Sequence, residues 1–166
     1  MSSAGLPFEP VDAAGLFVDT NLLVLFTIGS VNRNRIEQFK RTRQYTKTDY
    51  DLLLRVLGKF KTLYTVAHVM AEVSNLTDLP GSERRQARYV LKEALSVLKE
   101  AEMPSTRAAD DLLYGGHGLV DAAIGAVARD YHCAVLTDDL DLYLSLSRDK
   151  VKVLNFTHLR AAEWGI

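Results

Sequence analysis

Apolar residues along this chain fall into two kinds of run. Short, β-leaning blocks occur at Leu16-Phe17-Val18, Leu63-Tyr64, Ala134-Val135-Leu136 and Val151 to Leu154. Between them lie longer stretches whose apolar positions recur at three- and four-residue spacing. The first block, bounded by Gly15, predicts a buried strand at 16–19, and Asp19-Thr20-Asn21 then supplies capping side chains for a helix that Gly29-Ser30 breaks after Thr27. Residues 33–44 and 48–58 read as two polar helices, the second with Leu52, Leu53, Val56 and Leu57 on one face. A strand at 62–65 precedes a helix at 66–76, and Pro80-Gly81 ends that segment. Ser82 is positioned to cap a long helix over 83–101, which Pro104 stops. The rest predicts a helical turn at 106–113, a loop at 114–118 and a buried, Ala-rich helix at 119–131. A strand at 134–136, a helix toward Ser147, a strand at 151–154 and a helix at 157–162 complete the pattern.

Strands alternating with helices predict an α/β fold: a parallel sheet covered on both faces. The 166 residues contain no repeat, no low-complexity tract and no linker, which predicts one domain over 1–166 with 1–14 as a loose lead-in. A hydrophobic fraction of 48% excludes a disordered chain. No apolar run approaches the roughly 18 residues of a membrane span, and the first ten residues lack the basic-then-apolar order of a signal peptide. The single cysteine, Cys133, sits in an apolar stretch and reads as a core residue in a protein of the reducing cytoplasm.

Charge alters this picture locally. The net charge is −1, yet residues 32–61 hold nine Lys/Arg against three acids, a surplus of +6 that leaves −7 for the remainder. A basic flap beside an acidic body suits a polyanion approaching a cation site, although a solvated helical hairpin accounts for the charge equally well.

The candidate chemistry is acidic. Asp19 closes the first strand, Asp139 follows the strand at 134–136, Asp121 lies in the first turn of the buried helix, and Glu72 interrupts an apolar helix. Each has a bland explanation as a cap, a dipole partner or a solvated side chain. Asp19 and Asp139, however, are both predicted at the carboxyl edge of one sheet, where ligands bind. Carboxylates gathered there repel one another unless a hard cation such as Mg²⁺ or Mn²⁺ compensates them. The four histidines show no zinc-type spacing with Cys133, and no strand precedes the glycines of Tyr-Gly-Gly-His-Gly as a phosphate loop requires.

Val-Asp-Thr-Asn at 18–21, Glu72 in Val-Met-Ala-Glu-Val, Asp121 in Leu-Val-Asp-Ala-Ala-Ile and Leu-Thr-Asp-Asp-Leu-Asp-Leu at 136–142 resemble, in order and spacing, the acidic motifs of PIN-domain ribonucleases. The resemblance implies a three-layer α/β/α sandwich and an Mg²⁺- or Mn²⁺-dependent endoribonuclease. Asp19, Glu72, Asp121 and Asp139 would be its metal-site and catalytic acids, and Asp141 an accessory acid. Thr20, Asn21 and Thr137 would support them. Arg33, Arg41, Arg43, Arg84 and Arg85 would contact the RNA backbone. The toxin-type, VapC-like members further imply an antitoxin protein and a homodimer. Asp138 departs from the family's pattern by adding a carboxylate, and the helices expected at 30–61 and 82–101 are long for a compact toxin. The competing expectations are a PIN-fold binding module without nuclease activity and, against the absence of an acidic pair or Asp-x-Asp after strand one, a receiver or aspartyl phosphatase.

Overall fold

In the computed structural model, which describes residue 11 and residues 13–165, five parallel strands form one sheet in the order β3-β2-β1-β4-β5. The strands are β1 (Leu16–Val18), β2 (Leu63–Thr65), β3 (Lys99–Glu100), β4 (Ala134–Thr137) and β5 (Val153–Asn155). Most of the predicted lead-in lies outside the described residues. β1 is central, paired with β2 on one side and β4 on the other. Leu16, Phe17 and Val18 are buried, as are Ala134, Val135 and Leu136, because helices cover both faces of a parallel sheet. The result is the three-layer α/β/α sandwich.

Between β1 and β2 run α1 (Thr20–Val31), a 3-10 turn (Arg33–Arg35) and α2 (Lys47–Leu57). Two helices, α3 (Ala67–Leu76) and α4 (Ser82–Val97), connect β2 to β3. Three more, α5 (Ser105–Ala109), α6 (Tyr114–His117) and α7 (Leu119–Tyr131), lead to β4. The chain then forms α8 (Leu140–Arg148), β5 and α9 (Phe156–Trp164). Residues Ala122 to Ala128 of α7 are all buried, and Gly125 leaves room for Leu113, whose Cδ1 lies 2.6 Å from where a Cβ would stand. Among the described residues no helix is long and apolar enough to cross a membrane.

The elements differ from expectation in four places. α1 continues through Gly29-Ser30 to Val31, because Gly29 serves close packing: a Cβ there would lie 2.3 Å from the Tyr50 ring. The helix expected at 33–44 is a 3-10 turn followed by irregular turns. There the Thr42 hydroxyl donates to the carbonyl of Ile36 at 2.7 Å, taking the acceptor that a continuing helix would use. α4 stops at Val97, and Gly81, not Ser82, occupies its N-cap without any side-chain cap bond. The two residues Lys99 and Glu100 instead form the edge strand β3, short and charged as unpaired edges tend to be. The loop expected at 114–118 contains one helical turn.

Candidate active site

The strand order reverses direction at β1, so a crevice opens between the carboxyl ends of β1 and β4. The register pairs Val18 with Leu136 and thereby sets the next residues, Asp19 and Thr137, side by side. Asp19 caps α1: its Oδ1 accepts from the Thr20 N–H at 2.6 Å, and its Oδ2 accepts from the Thr137 hydroxyl at 2.6 Å. The Thr137 oxygen in turn accepts from the Asp139 N–H at 3.0 Å, so one hydroxyl orders both strand-end acids. Asp139 caps α8, its Oδ1 accepting from the Leu142 N–H at 3.0 Å, while its side chain remains exposed. Capping therefore accounts for part of the geometry of both acids and does not prevent either from facing the crevice.

Asp121 arrives from the other side. Gly118, at φ +84, turns the chain into α7 and places Asp121 in the first helical turn. His117 Nδ1 stands 3.5 Å from Asp121 Oδ2, and its Nε2 shares a hydrogen bond of 2.9 Å with the Ser145 hydroxyl of α8. Glu72 comes from α3, half-buried. Asp19, Glu72, Asp121 and Asp139 line a single cleft of about 330 Å³, together with Thr20, Asn21 and His117.

The electrostatics follow from this convergence. Burial pushes the Asp19 carboxyl up to about 7; the Thr137 hydrogen bond opposes that rise, and the negative charge of Asp121 adds to it. Asp121 is pushed up to about 6, by burial first and then by the charge of Asp139, with His117 opposing and Glu72 adding. Two groups raised by desolvation and by mutual repulsion in one cleft are a common signature of a functional site.

The donor set consists of hard oxygens, which suits Mg²⁺ or Mn²⁺. The Thr20 hydroxyl oxygen is buried in this cleft without a hydrogen-bond partner, an atom left for a ligand or its water. Among the described residues, no three His, Cys, Asp or Glu side chains are gathered closely enough to hold an ion directly. That spacing does not suit a dehydrated cage. It does suit a hydrated ion of the Mg²⁺ type, which keeps several waters and takes one or two carboxylates.

The remaining sequence candidates separate. Asp141 is exposed in the first turn of α8 and does not line the cleft. Asn21 lines the cleft and donates to Asp138 Oδ1 at 3.4 Å. Arg33 pairs with Asp51 at 2.8 Å, and Arg84 with Asp78 at 2.8 Å. Arg41, Arg43 and Arg85 are exposed. Sequence reasoning missed His117, although its four-residue spacing to Asp121 was a usable signal.

A parallel α/β/α sandwich with acids facing a cleft at its strand switch point is an α/β domain with an acidic ligand site. The sequence matches the PIN domain over residues 16–145, and the chain belongs to the PIN-domain family. That family is one of nucleic-acid-binding nucleases, commonly metal-dependent ribonucleases. No curated protein matches the chain.

Proposed function

We propose that this protein is an endoribonuclease that hydrolyses RNA phosphodiester bonds with Mg²⁺ or Mn²⁺. The observation that carries the reading is the convergence of Asp19, Glu72, Asp121 and Asp139 on one cleft, where burial and neighbouring negative charge raise the proton affinity of Asp19 and Asp121. One or two of these acids would hold the ion directly, and the others would reach it through its waters. When bound, it supplies positive charge against the phosphodiester oxygens and a water of lowered pKa.

The chain's own residues do the rest. Thr137 and the Thr20 N–H fix both oxygens of Asp19, so this carboxylate is oriented before any ligand arrives. His117, steadied by Ser145, orients Asp121 from the cleft wall. The unpartnered Thr20 hydroxyl is available to a water or a phosphate oxygen at the same place. Arg41, Arg43 and Arg85 offer exposed cations to the backbone, a contact that salt weakens and base sequence does not affect.

The test is cleavage of single-stranded RNA with Mg²⁺ or Mn²⁺ and with EDTA. We expect cleavage only with metal. We also expect Asp121→Asn to lower kcat/KM at least about 100-fold, about 2.7 kcal/mol of transition-state stabilisation, with the fold retained by circular dichroism. RNA that is bound and left intact in every metal would replace this reading with a PIN-fold binding module.

A further inference from the structure

The irregular segment between the 3-10 turn and α2 is built in two directions. Ile36, Thr42 and Tyr45 point inward and are buried, whereas Lys40, Arg41 and Arg43 are exposed. The far end of the segment is fixed at three points. Tyr45, 1% exposed, donates its hydroxyl hydrogen to Asp138 Oδ2 across 93 residues of sequence. Arg160 of α9 donates to the Gln44 carbonyl at 3.0 Å, and its guanidinium lies 5.4 Å over the Tyr45 ring. Thr46 closes a capping box with Asp49 at the start of α2.

Asp138 adjoins Asp139, an acid of the cleft, yet Asp138 does not line the cleft itself. Both of its oxygens are taken, Oδ2 by Tyr45 and Oδ1 by Asn21. What separates Asp138 from the four acids is its place: its Oδ2 is bound to the segment by Tyr45, and it lies outside the lining of the cleft. Arg43 and Arg41 lie two and four residues before Tyr45, close along the chain to the pinned rim. We propose that residues 36–46 form a pinned basic strap that holds the phosphate backbone of a single-stranded RNA beside the acidic cleft, and that Asp138 anchors this strap through Tyr45 instead of serving as a further metal acid. The proposal deepens the nuclease reading, on which its substrate rests. Tyr45 and Asp138 are positioning residues: they act on RNA through the cations that they hold at the rim.

The experiment compares Tyr45→Phe, Asp138→Ala and Asp138→Asn with the wild type in two measurements that need no catalysis. One is the affinity of a fluorescent single-stranded 2′-O-methyl oligoribonucleotide in EDTA, read across a salt series. The other is Mn²⁺ binding without RNA. Tyr45→Phe removes one oxygen from a buried ring and is expected to fold, with melting temperature as the control. Tyr45→Phe and Asp138→Ala should each weaken oligonucleotide binding by about 5- to 10-fold, the effect of one lost hydrogen bond to a charged group, and their double variant should be no weaker than either alone. Asp138→Asn keeps an oxygen that accepts from Tyr45 and should bind the oligonucleotide like wild type. Mn²⁺ affinity should stay nearly unchanged in Tyr45→Phe and Asp138→Asn. Arg41→Glu with Arg43→Glu should weaken binding and flatten its salt dependence.

Equal loss of Mn²⁺ affinity in Asp138→Asn and Asp138→Ala, with Tyr45→Phe unaffected, would make Asp138 a metal acid and overturn the proposal. Oligonucleotide affinity unchanged in Tyr45→Phe and in the double Arg variant would overturn the strap. A failed nuclease reading shows itself separately, as absent cleavage and absent Mn²⁺ binding in the wild type.

Discussion

Asp19 is held under opposing demands. Two hydrogen bonds favour its charged form, while burial and the neighbouring Asp121 charge disfavour it, and the carboxyl ends up at about 7. The consequence for stability has a definite sign. An acid whose folded-state pKa lies above its unfolded value of about 3.8 binds more protons when folded, so stability falls as pH rises from about 4 to about 7. Three pKa units correspond to roughly 4 kcal/mol, and Asp121, raised to about 6, adds to the same slope. We predict that in EDTA the Asp19→Asn variant loses much of this slope and melts above the wild type at pH 8. Asparagine keeps a capping oxygen and carries no charge. Thermal denaturation from pH 4 to pH 8 measures this, and a variant less stable than wild type at pH 8 would make Asp19 a cap alone. Much at this scale could be read from the chain. Asp19, Glu72, Asp121 and Asp139 each stand next to an apolar run that places them, whereas the Tyr45 contact to Asp138 joins residues 93 apart and leaves no local pattern.

Among the elements, α1 shows how a local signal misleads. Glycine followed by serine normally ends a helix, but here the helix runs on and Gly29 admits the ring of Tyr50, whose hydroxyl hydrogen-bonds the Ser30 hydroxyl at 3.1 Å. Tyr50 lies 21 positions away, on a helix whose docking no sequence window contains. Gly29→Ala separates the two explanations. If Gly29 were only a weak helix former, alanine would stabilise the protein by about 1 kcal/mol. The steric overlap at 2.3 Å predicts instead a net destabilisation of about 1–2 kcal/mol, since a buried ring must shift. The midpoint of urea denaturation gives the sign. Similar reasoning covers the other departures. β3 is two charged residues with no periodicity to detect, and residues 33–44 looked helical because only the Thr42 bond to Ile36 shows where the ladder breaks.

The whole molecule divides its charge. The acids meet at the carboxyl edge between β1 and β4, while the cations of residues 32–61 are carried by the connection between β1 and β2. The parallel sheet was implicit in the alternation of runs, whereas its strand order, with β1 at the centre, is set by which strands pair and leaves no local pattern. The meeting of four acids, spread over 120 residues from Asp19 to Asp139, follows from that order and from the family's motif spacing together. Without a counter-ion such a cleft retains protons, and a divalent ion should displace them. Calorimetric titration of Mn²⁺ into the metal-free protein near pH 7, repeated in buffers of different ionisation heat, reads both events at once. The account predicts saturable binding accompanied by proton release, with both lost in Asp121→Asn. No binding by the wild type, or equal binding with equal proton release in Asp121→Asn, would contradict it.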